Sequence, residues 1–224
     1  MVDEKIVSGW DDPRMPTICG LRRRGYTPES LRQFVEKAGI GKRENLIGAS
    51  LLEFCIRDHL NKIAPRVNAV MDPIKLTIIN YKNNEEYLEG EINPEQLSMG
   101  SRRIPFSKNL YIEREDFKEE ANRKFFRLTI GKEVRLKNAY IIKGESVIKD
   151  KNNNIVEVLC TYDKDTRSGS GSEASKRKVK GTLHWVSQKH AIKTKVKIYD
   201  RLFLDPSPDQ HKDKSFLDFV NPKS

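Results

Sequence analysis

The sequence predicts an α+β fold in which an N-terminal helical subdomain precedes an antiparallel β-barrel region. Over roughly the first sixty positions, apolar residues recur with the spacing of a helix. After Arg66 they alternate with polar residues at every second position, as in a half-buried strand. Turn-rich segments separate these alternating runs so often that we expect barrels or a sandwich rather than a parallel sheet.

Two helices are predicted in the first part of the chain. The first begins at Thr27, whose hydroxyl can cap free amide groups, and Pro28 suits the first helical position. Gly39 provides its end. The second helix begins near Ala49 and ends before Pro65, because proline disrupts a helix interior. Its apolar face consists of Leu52, Ile56, Leu60 and Ile63.

Five runs with a two-residue period predict the strands of the second part. The turn-forming stretch Asp150–Asn154 lies between two of them and predicts a hairpin. One helix is expected to interrupt the strands from Asp116 to about Phe126. Ser168–Ser175, of low complexity, is expected to be a solvated, mobile connector. The predicted strands lie in residues 74–78, 140–143, 155–162, 179–186 and 195–199.

The chain is basic, and its charge is concentrated in two segments. Its 224 residues include 42 Lys and Arg against 32 Asp and Glu, a net charge of +10. Residues 118–143 contain eight basic residues against three acidic ones, and residues 176–201 contain nine against one. Such charge on one face of a barrel favours a nucleic-acid partner, with an anionic membrane and a merely solvated surface as the alternatives.

No catalytic, cofactor or metal site is predicted from the residues themselves. Neither a Walker A sequence nor Gly-x-Gly-x-x-Gly is present, and the four histidines lack metal-ligand spacing. The three cysteines are far apart, which is typical of free thiols in a reducing compartment and predicts a cytoplasmic location. No apolar run is long enough to span a membrane. The pattern favours a binding module over an enzyme.

Several ordered motifs resemble glutaminyl-tRNA synthetases, class I enzymes that join glutamine to its tRNA with ATP. The glutamyl enzyme of archaeal and eukaryotic type shares the barrels, but it lacks the combination of Met15-Pro16-Thr17 with Gly20–Tyr26. A non-catalytic RNA-binding barrel protein of the ribosomal type is the alternative from another class. The motifs include GWDDPRMPT at 9–17, GLRRRGY at 20–26, VMDPIKL at 70–76, GKEVRL at 131–136, HWVS at 184–187 and YDRLF at 199–203.

The resemblance implies a helical connecting subdomain in residues 1–66. It implies an anticodon-binding region of two β-barrels in residues 67–224, C-terminally truncated, in which each barrel can be discontinuous in sequence. The implied partner is tRNA(Gln), and the expected state is a monomer without membrane attachment. The two class I signatures are absent from the sequence. ATP and glutamine are therefore expected to bind a catalytic domain outside this chain, which is expected to be inactive alone.

The same resemblance places the anticodon-reading residues. The reading arginines fall on Arg66, Arg127 and Arg135, with Asn61 five residues before Arg66. A glutamine that reads the middle base in the family is Lys124 here, and lysine lacks the paired donor and acceptor of an amide. Alternatives are that Arg66 caps the preceding helix and that Arg135 pairs with a strand neighbour. The cluster Arg22, Arg23 and Arg24 is expected either to touch the tRNA backbone or to be a solvated face.

Overall fold

The computed structural model describes residues 1–42 and 45–224. By their contacts these residues form two compact units. The helical unit comprises residues 1–63 and 194–224, and the β unit comprises residues 64–193. The predicted domain boundary between residues 66 and 67 stays a prediction, because grouping by contacts describes compactness and does not define domains.

The helical unit confirms both predicted helices and adds a short one. Thr27 caps its helix by accepting a hydrogen bond from the Ser30 amide at 3.2 Å, and Gly39 ends it with a φ of 73°. The Thr27 hydroxyl is also hydrogen-bonded to Nδ1 of His59, at 2.8 Å, which links the two longer helices. The helices are α1, Ile18–Arg23; α2, Pro28–Ala38; and α3, Ala49–Ile63, with a 3-10 helix at Phe216–Phe219.

The β unit contains the described strands. They are β1, Pro73–Ile78; β2, Glu86–Glu91; β3, Ser101–Phe106; β4, Asn109–Glu113; β5, Glu133–Leu136; β6, Ile141–Lys149; β7, Ile155–Asp163; β8, Thr182–Leu183; and β9, Val186–Ser187. Single-turn 3-10 helices lie at Leu97–Met99, Arg114–Asp116, Lys164–Thr166 and Ala174–Lys176. Helices first and strands afterwards confirm the predicted α+β class.

Seven of the strands form one mixed sheet. Their order is β8-β5-β6-β7-β1-β4-β9, and β2 pairs with β3 in a separate two-stranded sheet. The β1–β7 and β5–β8 pairings are parallel, and the other pairings are antiparallel. Phe106 and Trp185 lie at the centre of the core, with ring centroids 5.1 Å apart in an edge-on arrangement. This rigid sheet positions the surface segments described below.

The helix predicted from Asp116 to Phe126 is wrong. A 3-10 helix ends at Asp116, and Phe117 forms an isolated bridge with Leu128. The Leu128 amide donates to the Asp116 carbonyl at 3.0 Å, and the Lys118 amide donates to the Leu128 carbonyl at 3.1 Å. The backbone groups that a helix needs for its own hydrogen bonds are therefore used in strand-like pairing.

Two predicted strands also need correction, whereas the hairpin is confirmed. Residues 195–199 form no strand: Val196 and Ile198 are exposed, so the alternating pattern has no buried face. The predicted strand at 179–186 is limited to β8 and the start of β9. In the hairpin between β6 and β7, the Asp150 amide donates to the Asn154 carbonyl at 2.9 Å.

Candidate nucleic-acid interface

Arg127 lies on the surface of the β unit, and a buried carboxylate holds its guanidinium. Its Nη1 donates to Oδ1 of Asp116 in a close ion pair. The Arg127 side chain is 49% exposed, whereas that of Asp116 is 3% exposed. Burial raises the pKa of Asp116, and the charge of Arg127 acts in the opposite direction. Arg127 is thus anchored at one nitrogen, and about half of its side chain is exposed to solvent.

A groove of about 450 Å³ adjoins Arg127. One side is formed by the segment from Arg123 to Arg127 and the other by the segment from Lys178 to Gly181. Five basic side chains and one acidic side chain line it. The acidic residue, Glu133, is paired with Arg177 at 2.6 Å, so the groove presents mainly positive charge. The basic residues are Arg123, Arg127, Lys132, Lys178 and Lys180.

Arg135 lies on β5 and holds the low-complexity loop. Its Nη1 donates to the Thr166 carbonyl at 2.9 Å and to Ser168 Oγ at 3.1 Å. Its Nη2 donates to the carbonyls of Ser175 and Arg177, both at 3.0 Å. Burial, followed by the charge of Arg177, lowers the pKa of Arg135. The loop expected to be a mobile connector therefore has a defined anchor, and the guanidinium of Arg135 contacts both this loop and the residues that flank it.

The remaining predicted readers are not among the residues that line this groove. Arg66 Nη2 donates to Oε1 of Glu95 at 2.6 Å, and the Arg66 amide donates to the Ile92 carbonyl at 2.9 Å. Lys124 is exposed, and its amide donates to the Asn122 side chain at 3.0 Å. Asn61 belongs to the helical unit, where it is exposed near the end of α3.

The arginine cluster spans the end of α1 in the helical unit. Arg22, Arg23 and Arg24 are all exposed. Arg23 pairs with Asp11 at 3.0 Å, and the Arg24 guanidinium lies 5.5 Å from the centre of the Tyr26 ring. Because the side chains of Arg23 and Asp11 are both exposed, their ion pair contributes little to the stability of the fold. The exposure of the cluster is compatible with both expectations, a contact to the tRNA backbone and a solvated face.

Sequence reasoning missed most of the groove. Arg127 is the one predicted reader among its lining residues, and Arg135 donates hydrogen bonds to the carbonyls of Arg177 and Gly181, on either side of Lys178 and Lys180. The missed residues include Lys132, Lys180 and the exposed ring of Phe126. The sequence does contain features that point to these residues, namely the two basic segments and the adjacent phenylalanines Phe125 and Phe126. The wrong helix prediction over 116–126 obscured it.

Neither a metal centre nor a membrane-spanning helix accompanies the groove in the described parts of the chain. Residues 1–42 and 45–224 contain no group of three or more His, Cys, Asp or Glu side chains arranged to hold a metal ion. None of their helices is long and apolar enough to cross a bilayer.

Three family models match the chain, and all describe the same enzymes. The anticodon-binding domain of class I tRNA synthetases for glutamate and glutamine matches residues 64–163, and a second anticodon-binding model of this family matches residues 182–224. The catalytic-domain model of the same family matches residues 1–62. The chain belongs to the class I tRNA synthetases for glutamate and glutamine. This confirms the resemblance inferred from the motifs.

Curated members of the family are similar over the whole of this chain. A glutamine–tRNA ligase of Rhodopirellula baltica is 55% identical over 226 residues, which cover 100% of this chain and 37% of that protein. Glutamine–tRNA ligases of Proteus mirabilis and Escherichia coli O157:H7 are 52% and 51% identical, and the chain covers 40% of each. The chain thus spans about two fifths of the length of the curated relatives it matches.

The family match places the predicted readers in two groups. Arg66, Lys124, Arg127 and Arg135 lie in the first anticodon-binding match. Asn61 and the arginine cluster lie in the catalytic-domain match, which also covers most of the predicted connecting subdomain. Residues 164–181 lie between the two anticodon-binding matches. One wall of the groove therefore belongs to a segment that neither anticodon-binding model covers.

Proposed function

We propose that this chain is the anticodon-binding part of a glutamine–tRNA ligase and binds tRNA(Gln) through the β unit. The observation that carries the proposal is the basic groove beside Arg127, whose lining from Arg123 to Val134 lies in a region matched by an anticodon-binding domain. Unpaired loop bases are recognised by planar donors and aromatic faces, and backbone phosphates by basic side chains. The groove lining contains all three kinds of group.

Arg127 is the proposed base-reading residue of the groove. Asp116 fixes one end of its guanidinium, so little side-chain entropy remains to be lost on binding. The other donors of the fork can then meet the edge of a base or a phosphate oxygen. Arg66, Asn61 and Lys124 are proposed as further anticodon contacts, and Arg22, Arg23 and Arg24 as contacts to the tRNA backbone.

The aminoacylation of tRNA with glutamine and ATP is proposed for the longer ligase of which this chain is a part. Its relatives are glutamine–tRNA ligases, of which the chain spans about two fifths. On its own the chain is proposed to bind tRNA without charging it, as a monomer in the cytoplasm. Its three free cysteines fit a reducing compartment. An aminoacylation assay with tRNA(Gln), ATP and labelled glutamine tests this part of the proposal. We expect no charged tRNA, and charging by this chain alone would refute it.

Binding of the chain to labelled tRNAs, followed by fluorescence anisotropy, tests the proposal. The probes are tRNA(Gln), the same tRNA with a substituted anticodon, and tRNA(Glu). We expect tRNA(Gln) to bind at least about ten-fold more tightly than the substituted form, since each lost base contact costs about 1–3 kcal/mol. Preference for tRNA(Glu) would indicate the glutamyl enzyme. Equal affinity for all three probes would refute anticodon recognition.

The test separates base reading from charge attraction through two variants. Arg127→Lys keeps the positive charge near Asp116 but loses the planar fork, so discrimination between the tRNAs should fall while general affinity persists. Lys151→Gln removes one exposed charge in the hairpin turn and should leave discrimination unchanged. If Arg127→Lys discriminates as well as the unaltered chain, Arg127 is not a reader.

A further inference from the structure

A second pocket of the β unit lies at the end of the pairing between β4 and β9. Its volume is about 260 Å³, and it shares no lining residue with the groove beside Arg127. We infer that this pocket binds one phosphate-type anion, held by Lys108 and Lys189 together with the polar side chains between them. The inference goes beyond the proposed function, because it does not require recognition of an anticodon. The lining consists of Asn84, Ser107, Lys108, Asn109, Gln188 and Lys189.

Every side chain that lines this pocket carries a polar or charged group. Two of the lining residues are lysines, three carry amides and one carries a hydroxyl; among these described residues none is acidic and none has a hydrocarbon side chain. An apolar ligand is therefore disfavoured, since sites for such ligands are lined mainly by hydrophobic and aromatic side chains. A metal cation is disfavoured as well, because two ammonium groups would repel it. Ammonium, amide and hydroxyl donors suit the oxygens of a phosphate.

The carboxylate that follows Asn84 in sequence, that of Glu85, is already engaged. Its Oε2 lies 2.6 Å from Nε2 of His190 and accepts a hydrogen bond from Lys189 Nζ at 3.1 Å. These hydrogen bonds, that of His190 first, lower the pKa of Glu85 to about 2. Lys189 nevertheless stays 71% exposed, and Lys108 is exposed as well. Two lysines against one carboxylate leave a net positive charge at the pocket, which favours an anionic ligand.

Hydrogen bonds hold the walls of the pocket in place. The Lys108 carbonyl accepts from the Ile78 amide at 2.9 Å, and the Gln188 amide donates to the Asn109 carbonyl at 3.1 Å. Ser107 is 8% exposed, and its hydroxyl donates to the Asn109 carbonyl at 3.2 Å. The turn between β3 and β4 is therefore ordered before any ligand binds, so binding of an anion costs little conformational entropy.

The size of the pocket limits its ligand to one small group. Its volume of about 260 Å³ is below the range of about 300–1,000 Å³ that is usual for small-molecule sites. A nucleobase would also need an aromatic ring to stack on, and the lining contains none. The phosphate has two possible sources, free inorganic phosphate and a phosphodiester of an RNA backbone. Both present the same kind of oxygen atom to the two lysines.

Titration of the whole chain with inorganic phosphate, followed by NMR at constant ionic strength, tests the site. The backbone amide signals of Asn109 and Lys189 should shift and then saturate. Lys108→Gln removes one charge at an exposed position and should weaken phosphate binding roughly five-fold. Lys108→Glu should abolish the saturation, because it places a negative charge beside the anion. Lys151→Gln, at an exposed position in the hairpin turn, is the matched control and should bind phosphate like the unaltered chain.

The salt dependence of tRNA(Gln) binding identifies the source of the phosphate. If the RNA backbone occupies the pocket, Lys108→Gln should reduce the slope of log affinity against log salt by about one, whereas Lys151→Gln should not. Bound tRNA should then also prevent the shifts that inorganic phosphate causes at Asn109 and Lys189. If the slope is the same in both variants while inorganic phosphate still saturates the signals, the pocket binds free phosphate.

The possible outcomes separate this inference from the proposed function. Saturation that Lys108→Glu abolishes, or a salt slope that falls in Lys108→Gln, supports the anion site. The site is refuted if the signals do not saturate and the slope is the same in Lys108→Gln and Lys151→Gln. Equal phosphate affinity in Lys108→Glu and the unaltered chain refutes binding of free phosphate at this pocket. If the unaltered chain fails to bind tRNA(Gln), the proposed function fails, and the phosphate titration still tests the pocket.

Discussion

Asp116 is far more buried than Arg127, its ion-pair partner, and this difference affects the stability of the folded state. The arginine is half exposed, whereas Asp116 is buried and its Oδ2 finds no hydrogen-bond partner among the described residues. Removal of the arginine leaves a buried carboxylate without its countercharge, which costs more than an exposed pair contributes. A residue proposed to read RNA therefore also supports the fold around it.

Arg127→Ala should lower the free energy of unfolding by about 2 kcal/mol at pH 7. Burial already raises the pKa of Asp116, and loss of Arg127 raises it further. The ionised form is disfavoured in the folded state, so stability falls as pH rises through the folded pKa. The destabilisation caused by Arg127→Ala should be smaller at pH 4 than at pH 7. Urea unfolding at both pH values measures the free energy of unfolding of the variant and of the unaltered chain. An equal decrease at pH 4 and pH 7 would show that ionisation of Asp116 is not involved.

Arg135 is expected to act through the loop that it holds. Arg135→Lys retains the charge but cannot meet four acceptors in a plane, so the segment 166–177 should loosen. Limited proteolysis should cut Arg135→Lys within this segment several-fold faster than the unaltered chain, with weaker RNA binding in parallel. Lys137→Arg, at a neighbouring basic position, is the control. If the loop is equally resistant in both variants, Arg135 is not its anchor.

At the scale of elements, the sequence predicted the helices well because their signals are local. The Thr27 cap, Pro28 at the first position and Gly39 at the end act within a few residues and need no tertiary partner. The hairpin turn at Asp150–Asn154 is of the same kind. Strands β1 and β7 were also predicted, since each lies in a run where apolar and polar residues alternate in the sequence.

The failures occurred where distant partners decide the structure. Phe117 is buried and pairs with Leu128, a contact across eleven positions that overrides the helical spacing. Lysine and apolar residues alternate over residues 195–199, but the apolar side chains Val196 and Ile198 are exposed and pack against no core. The groove depends on Gly181 meeting Phe126 across 55 positions, so its lining was beyond prediction from local pattern.

The cap of α2 provides a test of the helical unit. Thr27→Ala removes the acceptor for the Ser30 amide and the hydrogen bond to His59, and should cost about 1 kcal/mol. Thr27→Ser keeps both groups and should be nearly neutral. Thermal unfolding of the two variants checks this expectation. A serine variant as unstable as the alanine variant would point to the lost methyl group instead of the cap.

The groove walls provide a test of the β unit. Gly181→Ala places a Cβ against the backbone of Phe126 and should force the Lys178–Gly181 segment away from it. RNA binding should weaken several-fold, because the basic side chains of the two segments that line the groove no longer act on one ligand. Gly169→Ser, in the connecting loop, is a control for general loss of a glycine, although its φ of 78° adds modest local strain. If Gly181→Ala and Gly169→Ser weaken RNA binding equally, the close approach of Gly181 to Phe126 is not what RNA binding depends on.

At the scale of the whole molecule, the net charge of +10 draws a polyanion to the chain, and the fold decides where that charge can discriminate. Strand alternation was expected to gather both basic segments on one barrel face. Instead, Lys178 and Lys180 line the groove from a segment that precedes β8, and the lysines at 193–197 are exposed in a segment without regular secondary structure. Net charge alone predicted a polyanionic partner, but the position and the lining of the groove could be found only from the structure.

Site-specific crosslinking tests the central claim most directly. The whole chain is bound to tRNA(Gln) carrying 4-thiouridine at single positions of the anticodon loop, irradiated, digested and analysed by mass spectrometry. Crosslinks from loop positions should map to peptides containing Phe125–Arg127 or Lys178–Gly181, and 4-thiouridine in the stem should not produce them. Loop crosslinks confined to peptides outside the β unit, from a complex that forms with full affinity, would contradict anticodon binding at this groove.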